Sequence, residues 1–149
     1  MDWDKVLDGV TWFHFSAICP AISQNAADVC KEALEAASRK GITISVDLNY
    51  RAKLWQYGKQ PIDVMPELAQ YCDLIMGNIW AAERMLGVKV DELVTESGQK
   101  SLYVKEAQKS SEDIIRHCVY WRSSNRMARL NRRARYAFYH TMLHWSYQP

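Results

Sequence analysis

Residues 42–48 have the sequence ITISVDL, and residues 11–18 have the sequence TWFHFSAI. Both runs are short, largely apolar and rich in β-branched or aromatic side chains, as is typical of strands covered on both faces. Between them, a segment that begins near Ser23 has apolar residues at spacings of three and four, which predicts an amphipathic helix. A strand, helix, strand unit favours parallel pairing through a right-handed crossover. The sequence therefore predicts an α/β fold.

The ends of this helix have the residues that helix ends prefer. Ser23 is suited to cap the first turn, because its hydroxyl can accept a hydrogen bond from a free backbone N–H. The positive charges of Arg39 and Lys40 suit the negative, C-terminal end of the helix dipole. Gly41 follows them and can adopt the left-handed conformation that often ends a helix. Pro20 is expected to end the first strand.

The pattern then repeats. Residues 62–71 predict a short helix in which Pro66 is tolerable only near the first turn. Residues 72–77 predict a third strand, and residues 79–87 predict a helix closed by Gly87. Beyond residue 88 the pattern weakens, although Ser110 or Ser111 could cap a further helix with Glu112 and Asp113 in its first turn.

Charge divides the chain into two parts. The net charge of the 149 residues is +2, but residues 1–115 contain 12 basic and 17 acidic residues, a net charge of −5. Residues 116–149 contain seven arginines, no lysine and no acidic residue, a net charge of +7. We therefore treat residues 1–115 as one domain and residues 116–149 as an Arg-rich tail of a different kind.

Several classes of protein are excluded or disfavoured. No apolar run is long enough for a membrane-spanning helix, and the acidic N-terminus lacks the features of a signal peptide, so we expect a cytoplasmic protein. The four cysteines form no CxxC pair and are expected to be buried, reduced thiols. His140 and His144 have the spacing of a helical zinc pair, but two ligands do not make a site. His14 is expected to lie in the core, and Trp12, Phe13, Trp55 and Trp80 are expected to be packing residues.

The fold predicts where ligands bind. In a parallel sheet, ligands collect at the carboxyl ends of the strands, which here correspond to residues 16–20, 47–51 and 77–83. Asp47, Asn49 and Arg51 follow one another at a spacing of two, so their side chains could share one face. Arg51 could hold a carboxylate or phosphate with its planar fork, while Asp47 and Asn49 orient it or bind sugar hydroxyls. The alternative is an Asp47–Arg51 ion pair that only stabilises the loop.

Three stretches resemble one known family. They are WFHFSAICPAIS (residues 12–23), SVDLNYRAKLW (residues 45–55) and CDLIMGNIWAAERMLGV (residues 72–88). Together they resemble the middle of a PfkB (ribokinase-like) carbohydrate kinase, most closely the 2-keto-3-deoxygluconate kinase branch. The resemblance covers about residues 2–93, and its most specific part is Asp47-x-Asn49-x-Arg51 followed by Leu54-Trp55.

The resemblance implies phosphorylation of a sugar acid by ATP and magnesium on a Rossmann-like sheet with flanking helices. It places Arg51 against the substrate, and the Asn49-Tyr50-Arg51 segment near the nucleotide phosphates. Asn78 matches the asparagine of the family's Asn-x-x-Glu motif, which supports the magnesium and phosphate site. The fourth position of that motif is Ala81 here, so Glu83 is the nearest carboxylate. No residue is expected to bind the metal directly.

One family motif does not occur in the sequence. The family's catalytic base belongs to a Gly-Ala-Gly-Asp motif whose amides form an anion hole, and no Gly-x-Gly-Asp occurs in these 149 residues. We therefore expect a central fragment of a kinase that is truncated at both ends and inactive alone. Unpaired strand edges are expected to favour self-association.

Two interpretations of residues 116–149 remain open. The segment is either translated from a shifted reading frame, or it is a basic tail that binds nucleic-acid phosphates with arginine and stacks bases on Trp121, Tyr136 or Trp145. The second interpretation makes the chain a non-catalytic α/β remnant with a nucleic-acid-binding tail. We favour the first, because seven arginines without a recognised fold are weak support for nucleic-acid binding.

Overall fold

The structure, a computed structural model, describes residues 1–90 together with residues 108, 109, 112 and 113. In chain order, residues 1–90 form α1 (Trp3–Val6), β1 (Trp12–Ser16), α2 (Ile18–Ala21), α3 (Gln24–Arg39), β2 (Thr43–Asp47), a 3-10 helix (Ala52–Leu54), α4 (Pro61–Ala69), β3 (Leu74–Met76) and α5 (Ile79–Leu86). The predicted α/β fold is confirmed. Glu112 and Asp113 are helical, whereas the candidate caps Ser110 and Ser111, the domain boundary at residue 115 and the Arg-rich tail lie outside the described residues.

The three strands form one parallel sheet in the order β1-β2-β3. Phe15 is paired with Val46, and Val46 with Ile75, so the strands run side by side in one register. Parallel pairing follows from the helices that connect consecutive strands. Within the described residues, β1 and β3 are the edges of this sheet.

Helix α3 begins and ends as the sequence predicts. The Ser23 hydroxyl accepts a hydrogen bond from the Ala26 backbone N–H at 3.2 Å, and Gly41 has a φ of 68° just beyond the helix. This left-handed conformation favours glycine, because a Cβ atom would strain it. Leu34 and Ala37 lie on the inner side of the helix and are fully buried.

One side of the sheet, which we call the core face, packs against the helices. It consists of Phe13, Phe15, Ile44, Val46 and Ile75. Val46 and Ile75 are almost completely buried in a cluster with residues of α3, α4 and α5. Because side chains alternate between the two sides of a strand, every second residue of each strand points to the core face. Burial of these apolar side chains stabilises the packing of the helices on this face by the hydrophobic effect.

The opposite side, which we call the Trp12 face, is different. It consists of Trp12, His14, Ser16, Thr43, Ser45, Asp47, Leu74 and Met76. Ser45 is buried, but Trp12 is 56% exposed and His14 is exposed. The expectation that His14 and Trp12 lie in the core is therefore wrong: both point away from the layer of helices that covers the core face.

Other local predictions need correction. Pro20 lies inside the short helix α2 and does not simply end a strand. Pro61 occupies the first turn of α4, and Pro66 lies in the second turn, where it lacks the N–H that would bond to the carbonyl of Ile62. Trp80 is exposed and is not a core residue.

The cysteines are only partly as expected. Cys72 is buried, Cys30 is half-buried and Cys19 is exposed, while Cys118 lies outside the described residues. Burial raises the pKa of the Cys30 thiol to about 11, with a smaller contribution from Cys19. No helix in the part of the chain that the structure describes is both long and apolar enough to cross a membrane.

Candidate site at the carboxyl edge of the sheet

The three strands end together. Ser16, Asp47 and Met76 are paired with one another across the sheet as the last residues of β1, β2 and β3. Beyond them, the Ala17 N–H donates to the Asp47 carbonyl at 2.9 Å, and the Leu48 N–H donates to the Met76 carbonyl at 2.8 Å. The predicted ligand segments therefore leave the sheet at a single edge.

Gly77 lets two of these segments approach closely. A Cβ atom at this position would lie 3.0 Å from the Cβ of Leu48, whose side chain is fully buried. Such a contact is tighter than nine in ten real Cβ contacts. Glycine therefore avoids a tight contact between the two chain segments, although its backbone conformation is an ordinary one.

Asp47 and Asn49 form a local turn. The Asp47 Oδ1 accepts a hydrogen bond from the Asn49 backbone N–H at 3.2 Å, as an aspartate does when it starts a turn. Both side chains are half-buried, and Leu48 between them is buried. Because β2 ends at Asp47, the predicted alternation that would align Asp47, Asn49 and Arg51 does not continue through this segment.

Arg51 is exposed, and its positive charge is not neutralised by a carboxylate of the described residues. Its Nη1 donates to the carbonyl of Tyr50 at 2.9 Å, which uses one of the five N–H groups of the guanidinium. Among the described residues, Arg51 forms no ion pair with Asp47. The alternative of a loop-stabilising Asp47–Arg51 ion pair is therefore not observed, and the remaining N–H groups can bind an anion.

Asn78 begins α5 at the same edge. Its Oδ1 accepts a hydrogen bond from the Ala81 backbone N–H at 2.8 Å, so the side-chain oxygen acts as the helix cap. Glu83 lies five residues further along the chain, about 7.5 Å along the helix axis at 1.5 Å per residue. The structure therefore places Asn78 at the edge but does not place Glu83 beside it.

The connection from β2 to α4, residues 48–60, is a basic loop. It contains Arg51, Lys53 and Lys59 and no acidic residue, and all three cations are exposed. The charge of this loop can be counted from the sequence alone. Lys53 and Lys59 thus add two positive charges to that of Arg51 in the same loop.

A buried tryptophan lies within the basic loop. Trp55 is 7% exposed and stacks on Tyr57 with 6.0 Å between the ring centroids, and the Tyr57 hydroxyl donates to the carbonyl of Pro20 at 2.7 Å. Burial raises the pKa of Tyr57, with smaller effects of Asp28 and Cys30. In the described structure, the Trp55 Nε1 is buried without a hydrogen-bond partner. The sequence pattern places Trp55 in the Leu54-Trp55 motif and predicts that it packs, but it does not indicate an unpaired indole N–H.

No protein-family model matches the chain. A curated relative, the 2-dehydro-3-deoxygalactonokinase of Haloferax volcanii, is 38% identical over 50 residues, which are 34% of this chain and 16% of that protein. The chain also matches the crystal structure of 2-dehydro-3-deoxygluconokinase from Thermotoga maritima, with 35% sequence identity and a TM-score of 0.61. This match covers 77% of this chain and 33% of that chain. A PfkB family carbohydrate kinase from Listeria grayi is 24% identical, with a TM-score of 0.54 over 69% of this chain and 32% of that chain, and this likeness supports the fold alone.

These similarities confirm the resemblance to PfkB carbohydrate kinases and the ribokinase-like fold class. The chain spans about a third of the solved structures that it matches, and a smaller part of the curated relative.

Proposed function

We propose that this chain contributes the carboxyl edge of the sheet to an ATP-dependent carbohydrate kinase of the PfkB type, which phosphorylates a sugar acid such as 2-keto-3-deoxygluconate. The observation that carries the proposal is the 35% identity to the Thermotoga maritima 2-dehydro-3-deoxygluconokinase over 77% of this chain. The edge itself agrees with it, because three parallel strands end in register there.

Arg51 has the central role in this proposal. Its exposed guanidinium retains N–H groups that can bind a carboxylate or a phosphoryl group in a bidentate manner. Asp47 and Asn49 lie four and two residues before it in the chain and offer oxygen and amide groups to sugar hydroxyls. Phosphoryl transfer depends mainly on positioning and on neutralising charge, and a fixed arginine supplies both.

ATP and Mg²⁺ are the proposed cofactors, and the residues available at the edge fit a magnesium ion held mainly by phosphates. Mg²⁺ usually keeps several waters and is otherwise bound by one or two carboxylates and by the phosphates of the substrate. In the described ranges, no group of three or more His, Cys, Asp or Glu side chains could hold a metal ion. We assign Asn49, Tyr50, Arg51, Asn78 and Glu83 to the surroundings of the nucleotide, with no direct metal ligand among them.

We further propose that the 149-residue chain binds the sugar acid without phosphorylating it. The sequence contains no Gly-x-Gly-Asp, so neither the family's catalytic base nor its anion hole is supplied by these residues. Without a base and oriented amides, the transition state loses stabilisation of several kcal/mol.

Isothermal titration calorimetry on the full chain tests the proposal. We expect 2-keto-3-deoxygluconate to bind and the uncharged D-glucose to bind much more weakly, because Arg51 needs an anionic partner. Equal binding of the two sugars, or no binding of either, would overturn the proposed function. A coupled assay of ADP release with both sugars should give only background, and turnover of the sugar acid would overturn the proposed inactivity of this chain.

The alternative function, a nucleic-acid-binding tail on a non-catalytic remnant, rests on the seven arginines of residues 116–149. It predicts binding to a nonspecific oligonucleotide that weakens steeply as salt increases. Residues 116–149 lie outside the described structure, so this alternative is still a prediction. Self-association through the unpaired edge strands of the sheet is also still a prediction.

A further inference from the structure

The basic loop differs in charge from the part of the chain around it. Its three cations are accompanied by no acidic residue, whereas the rest of residues 1–90 contains 6 basic and 11 acidic residues. Unlike Lys31 and Lys40, which pair with carboxylates, the three cations form no ion pair with any of the described residues. An exposed group of unpaired cations in an otherwise acidic region attracts anions to this one edge.

Trp55 adds an unused hydrogen-bond donor to this loop. Indole Nε1–H can only donate, and leaving a buried donor without an acceptor costs free energy. Buried polar groups in folded proteins almost always have a partner, so an exception in a loop next to a ligand site calls for a functional explanation. Two residues of this loop are buried, Leu48 and Trp55. Leu48 has an apolar side chain, so the unpaired buried donor belongs to Trp55.

From these two observations we infer that the basic loop is an anion-binding element and that the Trp55 Nε1–H donates to a carboxylate or phosphate oxygen of the bound ligand. The inference deepens the proposed function and rests on it for the identity of the anion. Arg51, Lys53 and Lys59 supply the charge, and Trp55 supplies a directed neutral donor. Trp55 is thus a binding residue as well as a packing residue.

The loop around the indole has little regular structure and many exposed residues. Its only regular structure is the single 3-10 turn Ala52–Leu54, and seven of its thirteen residues are exposed. The stack on Tyr57 and the Tyr57–Pro20 hydrogen bond fix the indole ring relative to α2. Binding therefore needs a rearrangement of the exposed loop residues around an indole that keeps its place.

The test is an NMR titration of the full-length wild-type chain labelled with ¹⁵N, with its indole resonances assigned by triple-resonance experiments. Three probes are added separately: 2-keto-3-deoxygluconate, inorganic phosphate and D-glucose. We expect at least one anion to move the Trp55 indole N–H downfield, as a new hydrogen bond does, and D-glucose to leave it unchanged. The responses to the two anions distinguish a carboxylate ligand from a phosphate.

Two variants complete the test. Trp55→Phe removes the donor and is expected to weaken binding of that anion about tenfold, the size of one hydrogen bond to a charged group. Trp12→Phe is the matched control, because the Trp12 Nε1 already donates to Ser45 at the other end of the sheet. It is expected to leave the affinity unchanged.

The outcomes separate this inference from the proposed function. If the sugar acid binds but the Trp55 resonance does not move, or if Trp55→Phe binds as the wild type does, the inference is wrong and the proposed function stands. If only phosphate binds and moves the resonance, the inference stands and the sugar-acid function is wrong. If neither anion moves the resonance and neither binds, both are wrong.

Discussion

The two faces of the sheet are stabilised in different ways. On the core face, Val46 and its partners Phe15 and Ile75 are buried against the helices. On the Trp12 face, the neighbouring residue Ser45 is equally buried, but its environment is polar. One strand, β2, thus contributes to an apolar layer and to a hydrogen-bonded layer at alternate residues.

The polar layer is a small network. The Trp12 Nε1 donates to the Ser45 Oγ at 2.8 Å, and the His14 Nδ1 lies 2.9 Å from the same oxygen. Because an indole N–H can only donate, the Ser45 oxygen is the acceptor for Trp12, and the same hydroxyl is within hydrogen-bond distance of the histidine ring. Burial therefore stabilises one face of the sheet, and paired polar groups stabilise the other.

Ile44→Ala should break the core face and have the largest effect on stability. Ile44 is 1% exposed, and its truncation leaves a cavity among the helices. We expect the free energy of unfolding in urea to fall by about 2–5 kcal/mol. Thr43→Ala, a change at the adjacent half-buried residue on the Trp12 face, is the control, and a loss as large as that of Ile44→Ala would contradict the contrast between the faces.

Gly77→Ala should have the next largest effect. The added Cβ atom would lie 3.0 Å from Leu48 Cβ, and Leu48 is fully buried. Overpacking of this kind costs about 1–3 kcal/mol, measured by urea unfolding. Gly9→Ala is a control for adding a methyl group, since its Cβ would meet no atom within 4 Å, although its φ of 69° adds some backbone strain of its own. An unchanged stability of Gly77→Ala would show that the two strand ends are not in close contact.

Ser45→Ala should affect the Trp12 face alone, with a smaller loss. The substitution removes the common partner of Trp12 and His14, and we expect a loss of about 1 kcal/mol in the free energy of unfolding. The indole Nε1 resonance of Trp12 should also change, because its acceptor is removed. A stability equal to that of the wild type, with an unchanged Trp12 resonance, would argue against the network.

Much of the fold could be predicted from local patterns. The Ser23 cap, Gly41 and the alternation along β2 are decided by nearby residues, and each appears in the structure where the sequence places it. The Trp12 face could not be predicted in the same way, because every residue from Trp12 to Phe15 except His14 is aromatic, so the apolar run does not reveal which side the helices cover. The position of Pro66 in its helix also differs from the prediction. Pro61 fills the preferred first position of α4, so Pro66 lies in the second turn and not in the first.

The candidate site was predicted in position but not in detail. The parallel register brings the ends of the three strands to one edge, and this follows from topology alone. The contacts do not follow from spacing: Asp47 accepts from the Asn49 backbone, and Arg51 donates to the Tyr50 carbonyl. Local backbone groups compete with the predicted ion pair, and sequence patterns do not show which partner is chosen.

Arg51→Ala should have the smallest effect on stability, within about 0.5 kcal/mol, because the side chain is exposed. Its effect on binding tests the central proposal most directly. By calorimetry on the full chain, we predict that wild type binds 2-keto-3-deoxygluconate, that Arg51→Lys binds less tightly because the planar fork is lost, and that Arg51→Ala loses at least about tenfold in affinity. Binding by Arg51→Ala that equals that of the wild type would contradict the account.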